Sequence, residues 1–353
     1  MASDASVAPG SGHGRPKLPS QEQFEGCLVG QCLGDALGFV VEGYPPEVCR
    51  HYADDALMKG LAGRHGRGPF AFGQYSDDSQ LARELLLSYA ACGRFCPEDY
   101  AGRIAAIFSE GRIVGRGRAT EQAARRLAEG VPWQEAGTPP PSAGNGSAMR
   151  AGPIGLIFYD DHRELVRAAH EQGLITHRDT RCSAGAVTIA GAVALALRRD
   201  AVEPAPFLEW LAGLTEPIEP QVAAYVRRLT GWLSLPPDEA VAYISRAGLD
   251  PDHAEEWRGI SPFVTGSVLW SLYSFLRSPE DFRETIRTAI AVGGDVDTTA
   301  AMAGAISGAH LGIGAVPSEL AHQLTDQGAW GLSELVDLAD RCYKIKRRQR
   351  TQT

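Results

Sequence analysis

Gly26-Cys-Leu-Val-Gly30-Gln-Cys-Leu-Gly34-Asp-Ala-Leu-Gly38 is the stretch that decides the fold, because a glycine recurs in it every four residues. Segment 304–312 repeats this pattern, with glycine at its first, fifth and ninth positions. Glycine is a poor helix former, but this spacing places all the glycines on one helix face and leaves that face without side chains. A neighbouring helix can approach such a flat face closely. The sequence therefore predicts two central, buried helices.

Helical periodicity continues through much of the chain. Clusters of Gly and Pro separate segments in which apolar residues recur at helical spacing, namely 82–91, 100–108, 184–197, 220–233 and 300–311. The sequence shows no convincing strand alternation and no long polar linker. We therefore predict one compact all-α domain over residues 21–345.

The two ends of the chain differ in composition from this domain. Residues 1–20 are rich in Ser, Gly and Pro and lack the basic-then-apolar order of a secretory signal. We expect them to form a disordered N-terminal tail. Residues 346–353 are basic and are expected to form a solvated C-terminal tail.

Charge, cysteine content and hydropathy exclude several classes of protein. The net charge of −9 argues against a broad nucleic-acid-binding surface, which needs clustered Lys and Arg. The 7 cysteines form no CxxC pair, and their odd number does not suit a full disulfide framework, so we expect a reducing cytoplasm. No membrane span is predicted, because the uncharged stretch 182–197 is shorter than the roughly 20 residues required and 298–318 is interrupted by His, Pro and Gly.

Two acidic segments are the main candidates for a functional site. Gly73-Gln-Tyr-Ser-Asp-Asp-Ser79 precedes a strongly periodic helix, and helix capping alone would explain its hydroxyls and carboxylates. Gly293-Gly-Asp-Val-Asp-Thr298 lies between a short apolar run and the second glycine-rich helix, which predicts a position near the interior.

The chemistry of these two segments favours metal binding. Buried carboxylates without partners are costly, and neither segment has enough Lys or Arg nearby in the sequence to neutralise it. All the candidate ligands are hard oxygens, which favour Mg²⁺, Mn²⁺ or Ca²⁺ over structural zinc. Because four carboxylates suit two ions better than one, we predict a dinuclear site made by Asp77, Asp78, Asp295 and Asp297.

Two glycine-containing segments and one histidine are weaker candidates for a binding site. Gly144-Asn-Gly-Ser-Ala-Met-Arg150 and Val114-Gly-Arg-Gly-Arg118 suit anion binding by backbone N–H groups, but ordinary turns explain both of them as well. His177 precedes a predicted buried helix, where a cap or core role is the more common one. The sequence contains no Ser/His/Asp order and no Walker-type loop, which removes the commonest nucleophilic and nucleotide-hydrolysing sites.

Five motifs occur along the chain in a characteristic order. They are Gly34-Asp-Ala-Leu-Gly38 with Glu42, Ser76-Asp-Asp-Ser79, Gly144-Asn-Gly-Ser-Ala-Met-Arg150, Thr176-His177 and Gly293-Gly-Asp-Val-Asp-Thr298. In this order they resemble the ADP-ribosylglycohydrolase family, which includes the dinitrogenase reductase-activating glycohydrolase and the serine- and arginine-ADP-ribosylhydrolases. The resemblance implies an orthogonal multi-helix domain with two Mg²⁺ or Mn²⁺ ions at the base of a central ADP-ribose cleft.

The resemblance also implies roles for individual residues. The implied metal ligands are Ser76, Asp77, Asp78, Asp295, Asp297 and Thr298. The family's usual Thr-Asp-Asp-Thr is Ser-Asp-Asp-Ser here, and we expect this change to alter metal affinity without abolishing it. The positions implied to line the diphosphate and ribose pockets are Gly115, Gly117, Ser142, Gly144, Asn145, Gly146 and His177.

The catalytic groups are expected on two segments. Glu42 stands where some family members place an acidic residue beside the scissile bond, and Glu47, later in the same Pro-rich loop, is the alternative. We expect Glu42 to protonate the leaving atom, and Asp295 or Asp297 to accept the proton of the attacking water.

The resemblance implies an enzyme that hydrolyses the N- or O-glycosidic bond between ADP-ribose and an acceptor, and that releases ADP-ribose. A modified Arg or Ser side chain of a protein is the expected acceptor, and a monomer is the expected state. Two other functions stay open: a catalytically silent ADP-ribose-binding protein, and a metal-dependent phosphohydrolase of a small nucleotide. The sequence does not decide between Mg²⁺ and Mn²⁺.

Overall fold

The computed structural model describes residues 17–59, 65–198, 201–250, 252–253 and 256–352. Within these residues the chain forms helices and isolated β-bridges but no strand, which confirms the predicted all-α class. The α-helices are α1 Gln21–Phe39, α2 Pro46–Ala53, α3 Asp77–Cys92, α4 Pro97–Ser109, α5 Arg118–Ala128, α6 Trp133–Ala136, α7 Gly152–Phe158, α8 His162–Leu174, α9 Thr180–Ala196, α10 Pro204–Thr215, α11 Pro220–Trp232, α12 Pro237–Ile244, α13 Val264–Arg277, α14 Phe282–Ala291, α15 Val296–Leu311, α16 Ser318–Ala321 and α17 Leu332–Gln352.

The residues at the helix starts explain where these helices begin. Ser20 and Gln23 form a reciprocal capping box at the start of α1. Asp161 and Asp281 accept backbone N–H groups at the starts of α8 and α14. Proline occupies the first turn of α2, α4, α10, α11 and α12, where its missing N–H leaves no hydrogen bond unmade.

The two glycine-rich helices, α1 and α15, pack against each other through their glycine faces. A Cβ added to Gly30 would lie 2.5 Å from the carbonyl oxygen of Gly304, and one added to Gly26 would meet the backbone of Gly308. Gly38, at the other end of α1, faces the backbone of Asp297 at the start of α15, so the two helices are antiparallel. The prediction that both helices are buried is confirmed, since nearly every residue of each is inaccessible.

The basic C-terminal segment takes a different form from the expected solvated tail. Residues 346–352 continue helix α17, which packs on α1 and α3. Lys346 is buried and its ammonium lies 2.5 Å from a carboxylate oxygen of Asp160. Arg350 donates a hydrogen bond of 2.7 Å to the hydroxyl of Tyr159. The tail prediction was wrong here because charge count alone does not show that a basic side chain has a distant acidic partner.

The N-terminal tail prediction falls mostly outside the described part of the chain, which begins at residue 17. In the described helices, none is both long enough and apolar enough to cross a membrane.

Candidate active site

Three helix ends meet at the base of one cleft. The antiparallel packing of α1 and α15 brings Asp35, near the end of α1, to the start of α15, where Asp295 and Asp297 lie. The start of α3 adds Asp77 and Asp78. The cleft has a volume of about 440 Å³, and every predicted site residue except Ser76 contributes to its wall.

Asp35 holds the start of α3 in place. One of its carboxylate oxygens accepts the backbone N–H of Ser76 at 2.9 Å, and the other accepts that of Ser79 at 3.0 Å. The Ser76 hydroxyl caps α3 through the N–H of Asp78 and donates to the Asp78 carboxylate at 3.0 Å. The capping explanation of this motif therefore applies, and Asp77 and Asp78 of the same motif also line the cleft. Asp35 was not among the predicted site residues.

The carboxylates at the start of α15 are held by other segments. Asn145 donates a hydrogen bond of 2.5 Å to Asp295 and one of 2.9 Å to the Ser267 hydroxyl. The backbone N–H of Thr298 donates to Asp297 at 2.9 Å. Asn145 was predicted to bind substrate, whereas its side chain in the structure orients a candidate metal ligand.

Two groups of carboxylates are close enough to share a cation. In the first, oxygen atoms of Asp35, Asp78 and Asp297 lie within 4.8 Å of one another, and in the second those of Glu42, Asp295 and Asp297 do. Burial, together with repulsion between neighbouring carboxylates, raises the pKa of Asp78 and Asp297 well above the ordinary value.

The remaining members of the cluster show the same effect. Burial raises the pKa of Asp35 and of Asp295 to about 6, and that of Asp77 to about 7. Without a cation, folding therefore leaves these carboxylates in an environment that disfavours their charged form.

The donor set fits divalent cations. Asp78 Oδ1 is buried and has no hydrogen-bond partner among the described residues, so this member of the cluster has an acceptor oxygen without a donor. The groups in the cluster are carboxylates and hydroxyls, with no thiol or imidazole among its described members, so the site suits Mg²⁺, Mn²⁺ or Ca²⁺.

The loop that contains Gly115 and Gly117 packs directly on Asp77. Gly115 has a positive φ of 74°, and a Cβ added to it would lie 2.6 Å from a carboxylate oxygen of Asp77. The N–H of Gly117 donates to the same carboxylate. Gln80, one turn into α3, accepts the N–H of Val114 at 2.8 Å and so anchors the loop. These glycines are needed in order to bring backbone close to Asp77.

The second glycine segment lies over His177. A Cβ on Gly146 would come within 2.6 Å of the imidazole Cε1, and one on Gly144 within 3.5 Å of Nε2. Ser142 and His177 also line the cleft, and His177 is 2% exposed. Thr120 lies in the first turn of α5, and its hydroxyl oxygen would be 3.2 Å from a Cβ added to Gly146.

Several residues of the cleft wall were not predicted from the sequence. Thr120, Phe39 and Trp257 line the cleft, but none of them belongs to a motif that sequence reasoning singled out. The only available signal for Thr120 was its position shortly after the Gly-Arg-Gly run, at the start of a helix.

The two candidate acids occupy different places. Glu42 lines the cleft and belongs to the second carboxylate group, and its carboxylate forms an ion pair with Arg67. The guanidinium of Arg67 also lies 4.9 Å from the centroid of the Phe39 ring. Glu47 is exposed in the first turn of α2 and does not line the cleft. The geometry favours Glu42 over Glu47.

An all-helical fold with a deep cleft, whose base carries carboxylates able to hold divalent cations, defines a class of protein suited to metal-assisted hydrolysis. The model of the family described as ADP-ribosylglycohydrolase matches residues 16–352. The chain belongs to this family, whose members are hydrolases that act on glycosidic bonds.

Known relatives agree with this assignment. The chain is 30% identical over 346 residues to an ADP-ribosylhydrolase ARH3 of Gallus gallus, covering 88% of this chain and 92% of the relative. It is 26% identical to the ADP-ribosylarginine hydrolase Tri1 of Pseudomonas putida, covering 84% and 73%. A solved structure titled ADP-ribosylglycohydrolase-related protein complex is 28% identical and superposes with a TM-score of 0.67, covering 92% of this chain and 98% of the other.

Proposed function

We propose that the protein is an ADP-ribosylhydrolase that uses two divalent metal ions, Mg²⁺ or Mn²⁺, to cleave the N- or O-glycosidic bond between ADP-ribose and a modified Arg or Ser side chain of a protein. The observation that carries the proposal is the buried carboxylate cluster at the base of the cleft, in which Asp78 Oδ1 has no hydrogen-bond partner among the described residues. The names of the relatives, one of them an arginine hydrolase, support ADP-ribosylated proteins as substrates.

The residues proposed to hold the metals lie at the starts of α3 and α15, namely Ser76, Asp77, Asp78, Asp295, Asp297 and Thr298. Bound metal ions would supply Lewis acidity for the ribose hydroxyls and for the attacking water. Asp35 contributes indirectly, by holding the backbone of Ser76 and Ser79. Asn145 contributes through its hydrogen bond to Asp295.

The protein's own groups perform the proton transfers. Asp295 or Asp297 accepts the proton of the water that attacks the anomeric carbon, and Glu42 donates a proton to the departing nitrogen or oxygen. The Glu42 carboxylate contacts Arg67, so the substrate must displace or share this contact before Glu42 can reach the leaving atom. The diphosphate lies between the two glycine segments, near Gly117, Gly144 and Gly146, beside His177.

We further propose that the predicted domain of residues 21–345, extended to residue 352 by the rest of α17, forms a single catalytic domain, that it acts as a monomer, and that it works in a reducing cytoplasm. The cysteines of the chain support the last point, since all 7 are free thiols and most of them are buried in the core.

Release of free ADP-ribose tests the proposal. Arg-linked, Ser-linked and nucleic-acid-linked ADP-ribose would be incubated with the protein in Mg²⁺, in Mn²⁺ and in chelator, with the Asp297→Asn variant as a matched control. We expect metal-dependent release from one protein linkage and none from the variant. ADP-ribose binding without release would identify a silent binder, and release of inorganic phosphate would identify a phosphohydrolase. Either result would overturn the proposal.

A further inference from the structure

Arg150 is a charged residue of the Gly144–Arg150 segment to which the proposed reaction gives no role. Its side chain is fully buried. Its guanidinium donates to the side chain of Gln172 at 2.9 Å, to the carbonyl of Gln172 at 2.9 Å and to the hydroxyl of Thr176 at 2.8 Å. A buried cation is costly, so its retention beside the cleft needs an explanation.

The third of these bonds continues toward the cleft. The Thr176 hydroxyl lies 2.8 Å from Nδ1 of His177, and Thr176 is fully buried. Since a guanidinium can only donate, the Thr176 oxygen accepts a hydrogen bond from Arg150. The hydroxyl proton of Thr176 therefore needs a different atom as its acceptor. Among the described residues, His177 Nδ1 is the only acceptor within reach of that proton. A donor at Nδ1 would instead leave a buried hydroxyl proton without a partner.

We propose that Arg150 is a positioning residue which, through the Thr176 hydroxyl, fixes His177 in the tautomer that carries its proton on Nε2 and presents that proton to the cleft. The opposite edge of the ring supports this assignment. Nε2 faces Gly144 and Gly146, and it has no hydrogen-bond partner among the described residues, although His177 is 2% exposed. Because His177 lines the cleft, a donor at Nε2 is suited to an acceptor atom of a ligand bound there.

The charges around His177 keep the ring neutral. Burial, and next the positive charge of Arg150, lower the pKa of His177 to about 3, against the opposing effect of Asp179 at the start of α9. The ring is therefore a hydrogen-bond donor of constant charge over the range in which an ordinary histidine titrates. In terms of the proposed function, on which this step rests, the acceptor is an oxygen of ADP-ribose.

Nitrogen-15 NMR of the histidines in the ligand-free protein tests the tautomer directly, whatever the enzyme hydrolyses. The His177 signals are identified by their loss in His177→Gln. We expect the wild-type ring to show an unprotonated Nδ1 and a protonated Nε2, unchanged from about pH 5 to pH 8. A protonated Nδ1, or a ring that titrates in this range, would overturn the proposal; the tautomer is observed in the wild-type protein, and the variant serves only to assign the signals.

Two substitutions at Thr176 separate positioning from general packing. Thr176→Val should let the proton exchange between both ring nitrogens and weaken ADP-ribose binding about tenfold, the loss expected for one hydrogen bond. Thr176→Ser keeps the hydroxyl and should restore both properties. Thr188→Val is the matched control, because Thr188 is also buried and bonded through its hydroxyl, but to Ala184 and Thr215 in the core.

The outcomes distinguish this inference from the proposed function. If Thr176→Val keeps the wild-type tautomer and affinity, Arg150 has only a structural role and the inference fails. If the tautomer responds as expected but no form of the protein binds ADP-ribose, the positioning of His177 by Arg150 and Thr176 is confirmed and the proposed function is wrong.

Discussion

Asn145 provides the sharpest test of how the metal site is held together. Its amide nitrogen donates 2.5 Å to Asp295 and 2.9 Å to Ser267, and thereby joins the Gly144–Gly146 segment to the start of α15. Replacing it in Asn145→Ala removes a hydrogen bond to a charged group, a loss of about 1.5–3 kcal/mol. If Asp295 is a metal ligand, part of that loss appears as weaker metal binding, by about ten- to a hundredfold.

Calorimetric titration of the metal-free protein with Mn²⁺ would measure this change. Ser267→Ala is the matched control, because it removes the other partner of Asn145 and leaves the bond to Asp295 in place. We expect the control to bind Mn²⁺ nearly as tightly as the wild type. An Asn145→Ala variant with wild-type metal affinity but weak ADP-ribose binding would refute this reasoning and return Asn145 to the substrate-binding role implied by its motif.

Three further predictions follow from the site and from the glycine contact. Glu42→Gln should keep ADP-ribose binding but slow cleavage by about 10²- to 10⁴-fold, whereas Glu47→Gln, outside the cleft, should leave the rate nearly unchanged in the same single-turnover assay; the reverse order would move the acid to Glu47. Gly34→Ala places a methyl group against the backbone of Ala300 and should lower the free energy of unfolding by about 1–3 kcal/mol in urea, whereas Gly102→Ala, in α4 with open space around it, should raise it by about 0.5–1 kcal/mol; equal effects would contradict the close contact. Finally, the pKa values of Asp35, Asp77 and Asp295 lie at about 6, 7 and 6 in the folded protein, above the ordinary 3.8, so the stability of the metal-free protein should fall as the pH rises from 4 through 7. Saturating Mn²⁺ should therefore raise the melting temperature more at about pH 8 than at about pH 5, and a larger rise at the lower pH would contradict this.

Much of the fold could be predicted because its signals are local. The four-residue glycine repeat and the apolar periodicity are properties of consecutive residues, and they predicted the buried helices α1 and α15. That each of these helices is the other's partner was not predicted, since residues 26 and 308 are far apart in the sequence and nothing in either segment identifies its neighbour.

For the site, the sequence predicted the residues that belong to short motifs, but not the contacts between those motifs. Residue types and spacing pointed to the carboxylates of α3 and α15, but the contacts that orient them come from other segments. Asn145 is 150 residues from Asp295, and Asp35 is 41 residues from Ser76. Thr120 and Trp257 were missed for the same reason, because what places them in the cleft is the packing of helices and loops.

The glycine contact between α1 and α15 also restricts how the two sides of the metal site can move. Glycines recur on each face every four residues, which corresponds to about 6 Å along a helix axis. If one helix moved along the other by less than this distance, a side chain on one face would collide with the backbone of the other helix. The contact at Gly34 shows how little space there is, because a Cβ added there would clash with the carbonyl oxygen of Ala300. The contact between α1 and α15 therefore fixes the position of one helix along the other. As a result, the distance between Asp35 and Asp297 cannot change gradually when the charge between these two residues changes.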